Sequence, residues 1–105
     1  HVLMDLKKYG KPVYITENGV VDARDAKRAE FIREHVQWMK RAMNEGVDVR
    51  GYFYWSLLDN FEWDKGFWPR FGLVEVDYEK NLERRIRPSA WEYKKIIEND
   101  IIEHQ

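Results

Sequence analysis

Apolar and polar positions along this chain change period several times, and each change marks an element. Val2 to Tyr9 has the pattern of a helix end, stopped by Gly10 and Pro12. Val13-Tyr14-Ile15-Thr16 is a short β-branched and aromatic run closed by Asn18-Gly19, which predicts a buried strand ending in a turn. Asp22 is a candidate N-cap, with Asp25 three residues on at the positive end of a helix expected to run to about Glu45. Ile32, Val36, Met39 and Met43 form one apolar stripe of that helix, and Gly46 stands where a terminating glycine belongs. Val47 to Leu58 is apolar or aromatic at most positions, as expected of a strand covered on both faces. The next stretch, DNFEWDKGFWPRFG, is irregular, polar and dense in aromatics. Leu73 to Tyr78 alternates, and Arg84 to Arg87 is expected to pair back on it around Glu79-Lys80-Asn81. Pro88 then precedes Ser89-Ala90-Trp91-Glu92, a capping-box spacing that opens a last helix to about Asn99.

Strand, helix, strand, long loop, helix is the order of a parallel α/β fold. A complete (β/α)8 barrel takes roughly 250 residues. The 105 residues here therefore read as one partial domain, residues 1–105, forming the last quarter of such a barrel or of an open α/β sheet. The helix-like opening, without an initiator Met, adds the expectation of a piece of something larger.

Composition narrows the chemistry. Lys plus Arg is 18 against 19 for Asp plus Glu, a net charge of −1, which argues against a nucleic-acid partner. The basic run Lys27-Arg28 through Lys40-Arg41 is interrupted by Glu30 and Glu34 and reads as a solvated helix face. There are no cysteines, and His1, His35 and His104 lack metal-ligand spacing, so neither a metal nor a cofactor is expected. No apolar run approaches the ~18 residues of a membrane helix. Five Trp, six Tyr and five Phe point to a large core or to flat surfaces that stack on a ligand.

Parity singles out one carboxylate. Side chains alternate along a strand, so Val13, Ile15 and Glu17 are expected on one face, with Glu17 at the C-terminal end. Active sites of barrels occupy that end. A rim ion pair is the plainer alternative for Glu17. By the same parity Trp55 shares a face with Phe53 and Gly51, and Glu62-Trp63 follows in the loop beyond. Carboxylates and indoles at one mouth suit a sugar: pyranose C–H bonds stack on the ring, and hydroxyls donate to the carboxylate. Trp38 and Trp91, on helices, are assigned to the core. Trp68 is left between bordering the site and packing on the hairpin.

These blocks resemble glycoside hydrolase family 1, the retaining β-glucosidase and β-galactosidase family. Tyr14-Ile15-Thr16-Glu17-Asn18-Gly19 is similar to its nucleophile motif, and Gly51 through Trp63 to its second long block. Arg70-Phe71-Gly72-Leu73-Val74, Val76-Asp77-Tyr78 and Arg87-Pro88-Ser89-Ala90 follow in the family's order. The resemblance runs over nearly the whole chain and corresponds to the family's C-terminal quarter. It implies that Glu17 is the catalytic nucleophile and that Trp55 is the aromatic platform under the sugar. It implies that Glu62 and Trp63 bind the O4 and O6 hydroxyls and that Phe71 lines the same subsite. Tyr14, Thr16 and Asn18 are then scaffold.

The implied reaction is double displacement on a β-linked glycoside. The acid/base Glu, ~5–5.5 Å from the nucleophile in retaining enzymes, sits in the family in an Asn-Glu-Pro motif. This chain has none: Asn44-Glu45 is followed by Gly46 at a helix end. The missing N-terminal part of the barrel is thus an expected partner, and the isolated chain is expected to be inactive. Glu62 at the O6 end would repel a 6-phosphate, favouring unphosphorylated glucosides or galactosides. Two other readings stay open: a non-catalytic carbohydrate-binding module, and a half-barrel interaction segment with strand edges that need a partner. Family habit makes the cytoplasm the expected location.

Overall fold

The computed structural model describes residues 1–99, so His104 lies outside the described residues. The elements in chain order are α1 (Val2–Leu6), β1 (Val13–Asn18), α2 (Arg28–Asn44), β2 (Val49–Tyr54), β3 (Val74–Asp77), β4 (Glu83–Ile86) and α3 (Pro88–Asn99). Short 3-10 turns occupy Lys7–Tyr9 and Trp63–Lys65. Gly10 ends the first of them in a left-handed conformation, φ 59°, which its missing Cβ permits.

β1 and β2 form a two-stranded parallel sheet, with α2 as the crossover between them. Val13 and Ile15 pack with Ala42, Val47 and Val49. Tyr52 and Tyr54 pack with Ile32, Val36, Leu73 and Ile96, which brings α3 alongside α2 on the same side of the sheet. Met39 belongs to both clusters and joins them. The other face is open: Tyr14 and Phe53 are exposed there, and the Tyr14 ring lies so close over Gly51 that a Cβ would meet it at 2.7 Å. The expected cover on both faces of β2 is therefore absent among the described residues. The chain supplies helices for one face only.

β2 is also shorter than the expected Val47–Leu58. After Trp55 donates its N–H to the Asn18 carbonyl, the chain changes partner. Ser56 donates to Phe71, Leu73 to Ser56 and Val74 to Leu57. That exchange hands the backbone to the hairpin β3–β4, whose register pairs Val74 with Ile86 and Asp77 with Glu83 around the expected turn.

The helix starts differ from the sequence expectation in an instructive way. α2 begins at Arg28, not near Asp22, yet the Asp22 carboxylate still caps it, accepting the Lys27 and Arg28 N–H groups at 2.7 and 3.1 Å. Ser89 lies within the first turn of α3 and makes no capping box with Glu92. Its hydroxyl and N–H both donate to the Asp25 carboxylate, at 2.6 and 2.9 Å. Glu92 instead meets Arg33 and Lys95. The stripe on α2 also shifts: Met43 is exposed and Ala42 is buried in its place.

Arg28, expected on the solvated face, is fully buried. It stands four residues before Ile32 and so shares the inward stripe. Its guanidinium is satisfied there. It pairs with Asp25, donates to the Tyr54 hydroxyl at 3.1 Å, and donates to the carbonyls of Asp22 and Arg70 at 2.7 and 2.8 Å. Trp38 and Trp91, assigned to the core, are instead 63% and 51% exposed. Cations of their own helices, Arg41 and Lys94, lie over the rings at 5.2 and 5.6 Å.

A second buried ionic centre fixes the long loop. The Asp59 carboxylate is fully buried and accepts from Arg87 at 2.8 and 3.1 Å, from Arg70 at 3.1 Å, and from the N–H groups of Gly72 and Val76 at 2.9 and 3.2 Å. Burial alone would push its pKa up, but the Arg87 hydrogen bonds and the two backbone donors outweigh this and hold it below the ordinary value.

Two outcomes follow for stability. Arg28→Ala leaves Asp25 buried without its cation and is expected to cost about 3–5 kcal/mol, read from urea unfolding. Because the Asp59 pKa is lowered on folding, its contribution is full above roughly pH 4 and is lost as pH falls through the folded value. The urea midpoint is expected to drop between pH 5 and pH 3. Asp59→Asn, weaker at pH 7, is expected to lose less over that interval.

Candidate active site

Glu17 stands near the C-terminal end of β1, but not by the expected parity. Between the pairs Ile15–Tyr52 and Asn18–Tyr54, β1 advances three residues while β2 advances two. The extra residue is a bulge. Val13 and Ile15 face the helices, whereas Thr16 and Glu17 are both exposed. Among the described residues the Glu17 carboxylate makes no hydrogen bond or ion pair. Asn18 returns to the helix side, where its side-chain oxygen accepts the Tyr52 hydroxyl at 2.8 Å. Burial pushes the Tyr52 phenol up, with Tyr93 and Tyr54 adding, so it stays a neutral donor.

The neighbouring residue explains why Trp55 is held beside this motif. A Cβ on Gly19 would lie 1.9 Å from the Trp55 carbonyl oxygen, a distance no side chain tolerates. Gly19 therefore lets the end of β1 press against the Trp55 backbone, while Asn18 accepts the Trp55 N–H at 2.9 Å. The Trp55–Ser56 peptide bond is cis. Trp55 is 37% exposed, in line with Phe53 and Gly51 as parity predicts. Phe71 joins them through its carbonyl, which accepts from Ser56 at 3.2 Å and from the Tyr54 hydroxyl at 3.0 Å. Glu17, Trp55 and Phe71 are thus gathered by backbone contacts.

Glu62 and Trp63 come from the loop after Asp59 and make no hydrogen bond or ion pair to Glu17 among the described residues. The Glu62 N–H donates to the Gly66 carbonyl at 2.8 Å, which closes the small turn carrying Trp63. Trp63 has φ 53° and is 83% exposed, so its indole covers nothing within the chain. The turn is braced by rings. Phe61 meets Phe67 at 5.3 Å, Phe67 meets Tyr78 at 4.7 Å, and the Arg70 guanidinium lies 4.5 Å over the Tyr78 ring. Phe67 takes the hairpin contact that was considered for Trp68, and Trp68 is exposed.

Tyr78 and the ionic partners of Asp59 escape a reading by motif and parity, because their importance lies in tertiary contacts. One signal exists: Asp59, Arg70, Tyr78 and Arg87 all sit within or beside apolar runs where a polar residue needs a partner. Among the described residues two buried side-chain polar atoms lack a hydrogen bond, Glu62 Oε2 and the Tyr78 hydroxyl. Burial pushes the Tyr78 phenol up, Arg70 opposes this, and the Asp59 and Glu62 carboxylates add to it. Among the described residues no group of three His, Asp or Glu side chains is placed to hold a metal ion. Asn44 and Glu45 close α2, at the start of β2 and so at the opposite end of the sheet from Glu17.

The chain is similar to known proteins in sequence and in fold. Residues 1–101 match the family model for Glycosyl hydrolase family 1. A β-galactosidase of Sulfolobus acidocaldarius is 48% identical over 95 residues, which are 89% of this chain and 19% of that protein. The solved β-glycosidase from Pyrococcus horikoshii superposes with a TM-score of 0.85 at 55% identity, over 90% of this chain and 22% of that one. The β-glucosidase from Thermotoga maritima, solved in complex with glucoimidazole, gives a TM-score of 0.89 at 37% identity, over 94% of this chain and 25% of its own. The chain spans about a fifth of the length of the curated relatives it matches. With its residues matched almost end to end, the chain belongs to glycosyl hydrolase family 1.

Proposed function

We propose that this chain is the C-terminal part of a (β/α)8 barrel and supplies the nucleophile side of a retaining β-glycosidase. The observation that carries the reading is Glu17, an exposed carboxylate with no partner among the described residues, at the end of a parallel strand and set beside Trp55 by Gly19. Family membership and relatives that are β-galactosidases and β-glucosidases support it. A glucosidase solved with glucoimidazole supports a sugar as the ligand.

In this reading an oxygen of ionised Glu17 attacks the anomeric carbon as the bond to the leaving oxygen breaks. The leaving oxygen takes a proton from a carboxylic acid outside this chain. Water, deprotonated by the same group, then releases the sugar from Glu17. Trp55 stacks under the ring, Phe71 lines the pocket, and Glu62 with Trp63 receives the O4 and O6 hydroxyls. The Glu62 charge favours unphosphorylated glucosides and galactosides. The remainder of the barrel covers the open face that exposes Tyr14 and Phe53, and it brings the acid. The 105-residue chain alone is accordingly inactive.

In the full polypeptide that carries this chain, Glu17→Gln is expected to lower turnover of a β-glucoside more than about 10³-fold with an unchanged melting temperature. An activated 2-deoxy-2-fluoro-β-glucoside is expected to add one sugar mass to Glu17. Near-parental turnover by the variant would overturn the assignment. Gly19→Ala pushes Trp55 out of place. It is expected to cost about 1–3 kcal/mol of stability, read by thermal unfolding, and to lower kcat/KM.

A further inference from the structure

We propose that Tyr78 is a positioning residue: its hydroxyl and Glu62 Oε2 are not bonded to each other in the structure, and a rotation of the Glu62 side chain lets the hydroxyl donate to this carboxylate and fix which of its oxygens faces the sugar. The inference rests on Glu62 being a sugar ligand. Its own ground is the pair of orphaned atoms. Among the described residues, Glu62 Oε2 and the Tyr78 hydroxyl are the buried side-chain oxygens that have no partner. One is an acceptor carrying charge and the other a donor. A buried group of either kind is destabilising unless it is hydrogen-bonded, and here each is what the other lacks.

The surroundings bring them to the same place and keep Tyr78 from turning away. Phe67 lies edge-on to the Tyr78 ring at 4.7 Å, and Phe67 also meets Phe61, the residue before Glu62. The Glu62 N–H is bound to Gly66, the residue before Phe67. The Glu62 turn and the Tyr78 ring therefore share Phe67 as a common wall. On its other side Tyr78 carries the Arg70 guanidinium at 4.5 Å, and Arg70 is itself fixed by Asp59 and by the Val76 carbonyl at 3.1 and 2.7 Å. The electrostatic effect of Glu62 on the Tyr78 phenol agrees with this closeness.

A carboxylate on an exposed turn swings between rotamers, and each costs entropy when a ligand selects one. With one oxygen tied to Tyr78, the other is presented to the sugar already oriented. Nothing in this device touches the anomeric carbon, so it acts on sugar discrimination and binding and leaves the Glu17 chemistry alone.

The test uses the full polypeptide, with p-nitrophenyl β-glucoside and p-nitrophenyl β-xyloside, which lacks the C6 hydroxymethyl group. Tyr78→Phe keeps the ring contacts and removes only the hydroxyl. Expected is a fall in kcat/KM of roughly tenfold on the glucoside, mostly through KM, against less than about threefold on the xyloside. Xyloside turnover doubles as the control for folding. In a Glu62→Gln background, Tyr78→Phe is expected to add little further loss on the glucoside, because the two act as one unit. Equal losses on both substrates, no loss, or simple additivity with Glu62→Gln would overturn the proposal. If Glu62→Gln discriminates between the sugars and Tyr78→Phe does not, only this inference fails. If Glu62→Gln leaves discrimination unchanged, the sugar-binding role of Glu62 fails and the inference with it.

Discussion

A carboxylate taken out of water must find donors for its charge, and the Asp59 carboxylate finds them in four separate places. Arg87 precedes α3, Arg70 ends the aromatic loop, and Gly72 and Val76 lead into and along β3. One side chain thereby joins the start of the loop, its end, the hairpin and the last helix. The apolar clusters hold helices to sheet, but they contain nothing from residues 59–72. Beside the Asp59 centre, that segment is held by ring contacts and by bonds to the carbonyls of Arg70 and Phe71. Such a centre is no gain over a well-packed apolar one in raw stability, since desolvation offsets much of the attraction. What it adds is a single geometry, because five donor contacts cannot be met in another arrangement.

Arg28 plays the matching part on the helix side. It links α2 to the strand through Tyr54, to the loop through the carbonyls of Asp22 and Arg70, and to α3 through Asp25, which caps Ser89. Arg70 belongs to both centres: its carbonyl receives Arg28 and its guanidinium serves Asp59. The two buried ionic centres thus share one residue, and the strand ends with Glu17 and Trp55 are packed between elements that both centres hold.

The order of elements was legible because strands and helices differ in period, and β1, α2, the hairpin and α3 all lie close to where periodicity puts them. What failed was local and had local causes. Parity placed Glu17 with Val13 and Ile15, but a bulge adds a residue that no pattern in Val13–Asn18 announces. Glu17 is exposed through that bulge and not through the parity that singled it out. Arg28 was given to solvent by its charge, although its spacing to Ile32 and Val36 pointed inward. Ser89 had capping-box spacing, yet Asp25, sixty-four positions away, took its hydroxyl. Trp38 and Trp91 were given to the core because they lie on helices, and each lies under a cation of its own helix instead. Gly19, Asp59 and Tyr78 stand inside quoted motifs, yet what they do depends on partners distant in sequence that no motif names.

The Asp59 carboxylate also receives Gly72, thirteen positions further on, so both feet of the aromatic loop stand on one side chain. The entropy of closing that loop is met at its base and not by its contents. Each doubling of a loop's length costs only about 0.6 kcal/mol more in closure. Residues 62–68 can then be exchanged, added or removed while Arg70 and Phe71 keep the loop's base in place. Variation can collect in this one excursion while the strand ends beside it keep their place.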